Sequence, residues 1–177
     1  DYIREGIGSN WITAINEDSK KNIFIGTWGG GLTKISPSRV VTNYNISNGL
    51  NDLKIRSVCP DAEGNILFGT NEHGVSIFKG ELFIGYYSEN EFLNAQIWSI
   101  LETSKGEFWF GTNRGLTIYD PKKNKVDAFS KFQKLEGTGI KILKEDSENQ
   151  IWIATDAQGI FTYLTKMITF ISYIVNL

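Results

Sequence analysis

Short apolar runs broken by turn residues fill this chain, and their spacing repeats. The dipeptide Gly-Thr stands at Gly26-Thr27, Gly69-Thr70 and Gly111-Thr112, with Ala154-Thr155 as a fourth copy, at intervals of 43, 42 and 43 residues. Fourteen residues before each anchor is an isoleucine, Ile12, Ile55, Ile97 or Ile140, and eleven before it is Ile15, Val58, Ile100 or Leu143. Two before it stands Phe24, Leu67, Trp109 or Trp152. Eight before it is Asp18, Asp61, Thr103 or Asp146, and five before it Lys21, Gly64, Gly106 or Asn149. A glycine and an aliphatic follow each anchor: Gly31-Leu32, Gly74-Val75, Gly115-Leu116 and Gly159-Ile160.

Each copy translates into strands and turns. A strand over about residues 11–17 leads to a tight turn, where Asp caps through its side chain and Gly or Asn accepts positive φ. The next run, Ile23 to Thr27, is apolar on successive residues, as in a strand buried on both faces. A third strand opens at Leu32, and a fourth carries an aromatic eighteen residues after the anchor, at Tyr44, Tyr87 and Phe129. In the last copy that place is Ser172, flanked by Phe170 and Tyr173. The pattern predicts an all-β fold of β-propeller blades: four repeats of about 43 residues, each a four-stranded antiparallel sheet. With only 3 prolines and no sustained helical stripe, little room is left for helix. The apolar stretch from Met167 to Leu177 is then the outer strand of the fourth blade, and its eleven residues are too few to span a bilayer. Trp109 and Trp152 are expected to pack between blades.

The repeats divide the chain into blades at 10–50, 51–93, 94–135 and 136–177. Gly6-Ile7 precedes Ile12 as Gly49-Leu50 precedes Ile55, and Phe92 and Leu135 fill the aliphatic place in the other copies. Residues 1–9 therefore read as the end of a preceding blade with its crossover loop, and the chain as a segment of a larger propeller. Closure as four blades, or association that covers the terminal sheets, is also open to it.

Composition narrows the function. The 177 residues are 41% hydrophobic and 21% charged, with 11 Phe, 7 Tyr and 5 Trp, which excludes a disordered segment. A net charge of −2 disfavours binding to nucleic acid through phosphate neutralisation. The single cysteine, Cys59, forms no internal disulfide.

The repeated string is clearest in Ser99-Ile-Leu-Glu-Thr-Ser-Lys-Gly-Glu-Phe-Trp-Phe-Gly-Thr-Asn-Arg-Gly-Leu-Thr-Ile-Tyr-Asp120. It resembles the two-component regulator propeller repeat, and Ser47 to Val58 looks like that family's crossover between blades. Departures are Phe24 and Leu67 in place of Trp, Ala154 in place of Gly, and Cys59-Pro60 before a turn aspartate. The resemblance implies the periplasmic part of an inner-membrane sensor histidine kinase, often a hybrid one, which binds a signal, commonly an oligosaccharide, and passes a change through the membrane. No dimerisation helix, phosphoacceptor context or nucleotide-binding glycine box is present, so the segment is read as non-catalytic. The alternatives are a scaffold for protein–protein interaction and a streptogramin-lyase-like propeller. The lyase chemistry uses His with a metal, and the only histidine is His73.

Function in a propeller is carried by loops at one face. The turns after each anchor vary on a repeated frame, and their candidate ligand-binding residues are Trp28, Asn71, Glu72, His73, Asn113, Arg114, Asp156 and Gln158. Solvated turns account for most such residues, but Trp28 replaces the Asn or Asp of the other copies and offers a flat surface to a sugar or an aromatic side chain. Arg114 suits a carboxylate or sulfate. Glu72 with His73 does not amount to a metal set, and Asp61-Ala-Glu-Gly-Asn65 lacks the ligands of a calcium loop. No catalytic residue, metal or cofactor is expected. The partners expected are a small ligand such as an oligosaccharide, other blades of the same protein and a second copy in a homodimer, with membrane contact only through other parts of the parent protein.

Overall fold

Strands form where the repeat places apolar residues, and each turn is closed by a side chain fixed at one register position. Asp18 Oδ1 accepts from the backbone N–H of Lys20 and Asn22, and Asp146 Oδ1 from those of Glu148 and Gln150. Asp61 Oδ1 accepts from Asn65 N–H, and in the third copy Thr103 Oγ1 does the same for Glu107. The residue five before each anchor has positive φ: Lys21 at 65°, Gly64 at 86°, Gly106 at 76° and Asn149 at 60°. A lysine thus occupies in the first copy a conformation that suits Gly or Asn.

The computed structural model describes residues 6–80, 82–85, 96–128, 135, 137–164 and 167–173. Among them the strands are β1 (Ile12–Glu17), β2 (Ile23–Thr27), β3 (Leu32–Ile35), β4 (Val41–Tyr44), β5 (Ile55–Pro60), β6 (Ile66–Thr70), β7 (Val75–Lys79) and β8 (Leu82–Gly85). The rest are β9 (Ile97–Glu102), β10 (Phe108–Thr112), β11 (Gly115–Asp120), β12 (Lys125–Ala128), β13 (Ile140–Glu145), β14 (Gln150–Thr155), β15 (Ile160–Leu164) and β16 (Met167–Tyr173). They make four antiparallel four-stranded sheets, each in sequence order, the meander of a propeller blade. Helical structure among the described residues is confined to a 3-10 turn over Ile46–Asn48 and 3-10 backbone at Leu135. Tyr44 lies in β4 and Ser172 in β16, whereas Tyr87, Phe92 and Phe129 fall outside the described residues.

The blades fall into two units, Asp1–Gln96 and Ile97–Leu177, each a pair of sheets. In the first pair Phe24, Leu32, Leu50, Ile55, Val58, Ile66, Phe68 and Phe78 form the core. In the second the core is Trp109, Leu116, Leu135, Ile140, Leu143, Ile151, Ile153 and Phe161. The crossover aliphatics Leu50 and Leu135 are thus buried anchors.

The anchor glycines admit the neighbouring sheet. A Cβ on Gly26 would stand 2.7 Å from Ile55 Cγ2, and one on Gly111 2.8 Å from Ile140 Cγ2 and 2.9 Å from the Ile140 carbonyl oxygen. Within each pair, the isoleucine fourteen before the second anchor therefore seats against the glycine of the first.

One expectation is corrected. Trp109 is 2% exposed and packs between sheets, but Trp152, at the same register position, is 37% exposed. Side chains alternate along β14, so Ile151 and Ile153 fill the core and Trp152 points to the face turned away from its paired sheet, where its indole N–H donates to Asp146 Oδ2 at 2.7 Å. Ala154, the departure from glycine, lies on that same outward face.

Candidate functional site

The anchor threonine builds the turn that carries each candidate residue. Thr27, Thr70, Thr112 and Thr155 donate their hydroxyls to the carbonyls of Gly31, Gly74, Gly115 and Gly159, at 2.8 to 3.0 Å. The same oxygens accept from the N–H of Gly30, His73, Arg114 and Gln158. One hydroxyl per copy thus fixes a turn whose other side chains are free to differ.

In the first pair the turns converge on one cluster. Trp28 is half-buried and forms an isolated bridge with Lys54 of the crossover loop. Over its ring lie the Arg56 guanidinium carbon, 4.8 Å from the centroid, and Lys54 Nζ, at 5.7 Å. The Trp11 ring, 66% exposed, sits beside it at 5.8 Å with a 36° tilt. Asn71 is buried and accepts from Arg56 Nε at 2.8 Å, which orients the guanidinium. Glu72 pairs with Lys54 at 2.9 Å, and that hydrogen bond, with a second from Asn71, holds its carboxyl below the usual carboxylate range. Partial burial pulls the Arg56 guanidinium below its ordinary value, and the Asp52 carboxylate acts against this.

Asp52 organises the loop beneath. Its Oδ1 accepts from Lys54 N–H and its Oδ2 from Glu72 N–H, and His73 Nδ1 lies 3.5 Å from Oδ2. Four of the eight expected residues, Trp28, Asn71, Glu72 and His73, therefore meet around Lys54 and Arg56. Trp28 is not the open platform expected of it, because cations cover its ring; Trp11 carries the exposed indole.

In the second pair Asn113 is half-buried and Arg114 exposed on the β10–β11 turn, while Asp156 and Gln158 are exposed on the β14–β15 turn. Asp156 Oδ1 accepts from Gly139 N–H at 3.1 Å, and the Arg114 carbonyl accepts from Gly137 N–H. Lys141 Nζ stands 3.4 Å from the centroid of the Trp98 ring. No group of three or more metal-ligating side chains occurs among the described residues.

Trp11, Asp52, Lys54, Arg56, Trp98 and Lys141 were not among the candidates. For five of them the signal was present in the register: Trp11, Lys54, Arg56, Trp98 and Lys141 each stand next to the repeated isoleucine, whereas Asp52 lies three places before Ile55.

Residues 6–29, 49–72 and 91–114 match the family model of the two component regulator propeller. No curated protein matches the chain in sequence. Among solved structures, the extracellular domain of a one component system from B. thetaiotaomicron superposes with a TM-score of 0.77 at 21% identity, over 95% of this chain and 23% of that one. The extracellular domain of a hybrid two component system from the same organism gives 0.76 at 20% identity, over 93% of this chain and 23% of that one. Virginiamycin B lyase from Staphylococcus aureus gives 0.75 at 14% identity, over 94% of this chain and 56% of that one.

Proposed function

From a chain that carries two-component regulator propeller repeats, we infer a ligand-sensing segment of an extracytoplasmic propeller, whose parent protein signals across a membrane to a histidine kinase. The observation that carries this reading is one frame bearing different side chains at the Gly-Thr end of each sheet: strands and turn hydroxyls repeat, while Trp28, Asn71, Asn113 and Asp156 alternate at a single position. Loops held by a rigid scaffold are where binding residues concentrate. The ligand class it supports is a saccharide, since the first pair offers an exposed indole next to guanidinium, amide and carboxylate groups, the usual complement to a sugar's C–H face and hydroxyls.

Placement of the segment in the periplasm follows from the same reading, and so does its lack of chemistry of its own. The chain spans 23% of the extracellular domains it superposes on, and this reading assigns the membrane-spanning and kinase parts to the rest of the parent protein. Likeness to the lyase is a likeness of fold.

A second reading, docking of a neighbouring blade or a second copy, is favoured by the outward sheet faces. Ile15 on the first sheet and Ile142 on the fourth are 66% and 61% exposed.

The test is a melting-temperature screen of the purified chain against neutral and acidic oligosaccharides, followed by autophosphorylation of the parent protein in vesicles with any sugar that shifts Tm. A sugar active in both assays is expected. A full panel without a shift overturns the saccharide reading, and a shift without a kinase response overturns the sensor.

A further inference from the structure

Both blade pairs build their core by one division of labour. In the first pair the leading sheet supplies two side chains, Phe24 two before its anchor glycine and Leu32 after its turn glycine. The following sheet and its crossover supply six, Leu50, Ile55, Val58, Ile66, Phe68 and Phe78, none more than 8% exposed. The second pair repeats this, with Trp109 and Leu116 leading and Leu135, Ile140, Leu143, Ile151 and Ile153 at the matching places of the following sheet. Ile55 and Val58 are three apart, a spacing that sends side chains to opposite faces of an unbroken strand. They share a face because a β-bulge lies between them: Ile55 pairs with Thr70 and Ser57 with Gly69, leaving Arg56 outside the ladder. Thr13, Trp98 and Lys141 are skipped in the same way in the other sheets.

The first sheet carries those six places on the face it turns away from the second, and every one is isoleucine: Ile7, Ile12, Ile15, Ile23, Ile25 and Ile35. Ile12 is 42% and Ile15 66% exposed, Ile7, Ile23 and Ile35 are half-buried, and Ile25 alone is buried. Their crossover is already seated. Gly8 N–H donates to Thr33 Oγ1 at 3.2 Å, and Asn43 Nδ2 to the Gly6 carbonyl at 2.8 Å. The following half of a junction is thus in place, continuing the arrangement by which the second sheet meets the first. The leading half that would fill it is a large apolar side chain, an aliphatic, and a glycine that lets Ile12 close in.

We propose that the isoleucine face of the first sheet docks a separate blade of the leading kind, with glycine at its anchor and a large apolar residue two before it, and not a second copy of this chain. This rests on the second reading above, and names the occupant. In a second copy most leading pairs are buried: Phe24 with Leu32, Leu67 with Val75, and Trp109 with Leu116. The exposed one belongs to the fourth sheet, where Trp152 is 37% and Ile160 43% exposed, but its anchor is Ala154. A Cβ on Gly26 would stand 2.7 Å from Ile55 Cγ2, and one on Gly111 2.9 Å from the Ile140 carbonyl oxygen. Ile12 seated in the same manner would meet the Ala154 methyl just as closely. Neither a β-branched side chain nor a backbone carbonyl can swing aside from it.

One insertion tests this: a copy of residues 10–52 placed in the full chain directly before Asn10. The inserted repeat then presents Phe24, Leu32 and Gly26 to the resident isoleucine face. Ile15→Lys reads the junction at two places in one protein. In the resident sheet, where the lysine would be covered, it is expected to lower Tm by at least about 5 °C, and in the inserted sheet, whose outer face is open, by less than about 2 °C. Gly26→Ala in the inserted repeat is expected to lower Tm as the resident Ile15→Lys does. Equal shifts for Ile15→Lys at the two places overturn the docking. Should the enlarged chain fail to fold, as circular dichroism would show, Ile15→Lys is compared between the chain and its parent protein. A loss of at least about 5 °C is expected in the parent against less than about 2 °C in the chain, and equal losses overturn the proposal. Sedimentation velocity of the chain addresses the rival occupant: a monomer is expected, and a dimer that Ile15→Lys dissociates puts a second copy on this face and overturns the proposal. No arm uses a sugar, so failure here leaves the saccharide sensor standing, and a blank sugar screen leaves the docking face standing.

Discussion

Between the first two sheets the filling is phenylalanine, with Phe24 and Phe78 centred 6.2 Å apart and Phe68 buried beside them. Between the third and fourth it is one large indole, Trp109, against aliphatics and the ring of Tyr163 at 5.3 Å. The frame is the same in both: the same strand order, the same bulge, the same hydroxyl-closed turn. What differs is how much volume each side of a blade contact contributes, so the residue two before the anchor is a filler matched to the opposite sheet rather than a fixed signature. The second pair repeats this lesson inside itself, because Trp109 and Trp152 share a register position and only the one facing another sheet is buried.

The sharpest test replaces both. Trp109→Ala is expected to cost about 3 to 5 kcal/mol, as does Phe24→Ala in the first pair, by loss of burial and creation of a cavity. Trp152→Ala is expected to cost less than half of that. Denaturant midpoints with unchanged m-values would measure all three, and equal losses for Trp109 and Trp152 would break the distinction between inward and outward faces.

The anchor glycines come next in size. Gly111→Ala pushes a methyl against Ile140 and is expected to cost about 1 to 3 kcal/mol as overpacking. Ala154→Gly, on the outward face, is expected to cost only about 0.5 to 1 kcal/mol through backbone entropy. Thermal unfolding of the two variants would compare them.

Turn closure is a smaller effect. Thr70→Val leaves the buried Gly74 carbonyl and the His73 N–H without their hydroxyl and is expected to cost about 1 to 2 kcal/mol, while Thr155→Val, in a more exposed turn, costs less. Both are read from the same unfolding curves.

The smallest effect is in pH. Trp152 donates to Asp146, and that hydrogen bond, ahead of the one from Gln150 N–H, holds the Asp146 carboxyl below its ordinary value. A carboxyl depressed in the folded state stabilises fully above the unfolded value of about 3.9 and loses that contribution as pH falls through the folded one. Trp152→Phe should raise the Asp146 midpoint toward ordinary, as carboxyl NMR titration would report; an unmoved midpoint would remove the hydrogen bond as the cause.

The sheets were legible because their determinants recur: isoleucine, aspartate, glycine and threonine at fixed steps state one local geometry four times over. The turns were legible for the same reason, and Trp28, Asn71, Glu72 and His73 lie on the turns after the Gly-Thr anchors of the first two sheets. Two things were not. Burial of Trp152 could not be told from Trp109, since sequence register gives the direction of a side chain but not what lies opposite. The bulge also hid Arg56, because a period-two count passes over an inserted residue and treats it as an irregular strand position.

That inserted residue gives the fold an unusual freedom. The bulge side chain stands outside the ladder's register, so Thr13, Arg56, Trp98 and Lys141 differ in chemistry while the strand pairing on either side of them stays the same. A library randomised at these four codons should keep its strands, as read by circular dichroism, more often than one randomised at the preceding Ile55, Ile97 and Ile140, which are fully buried.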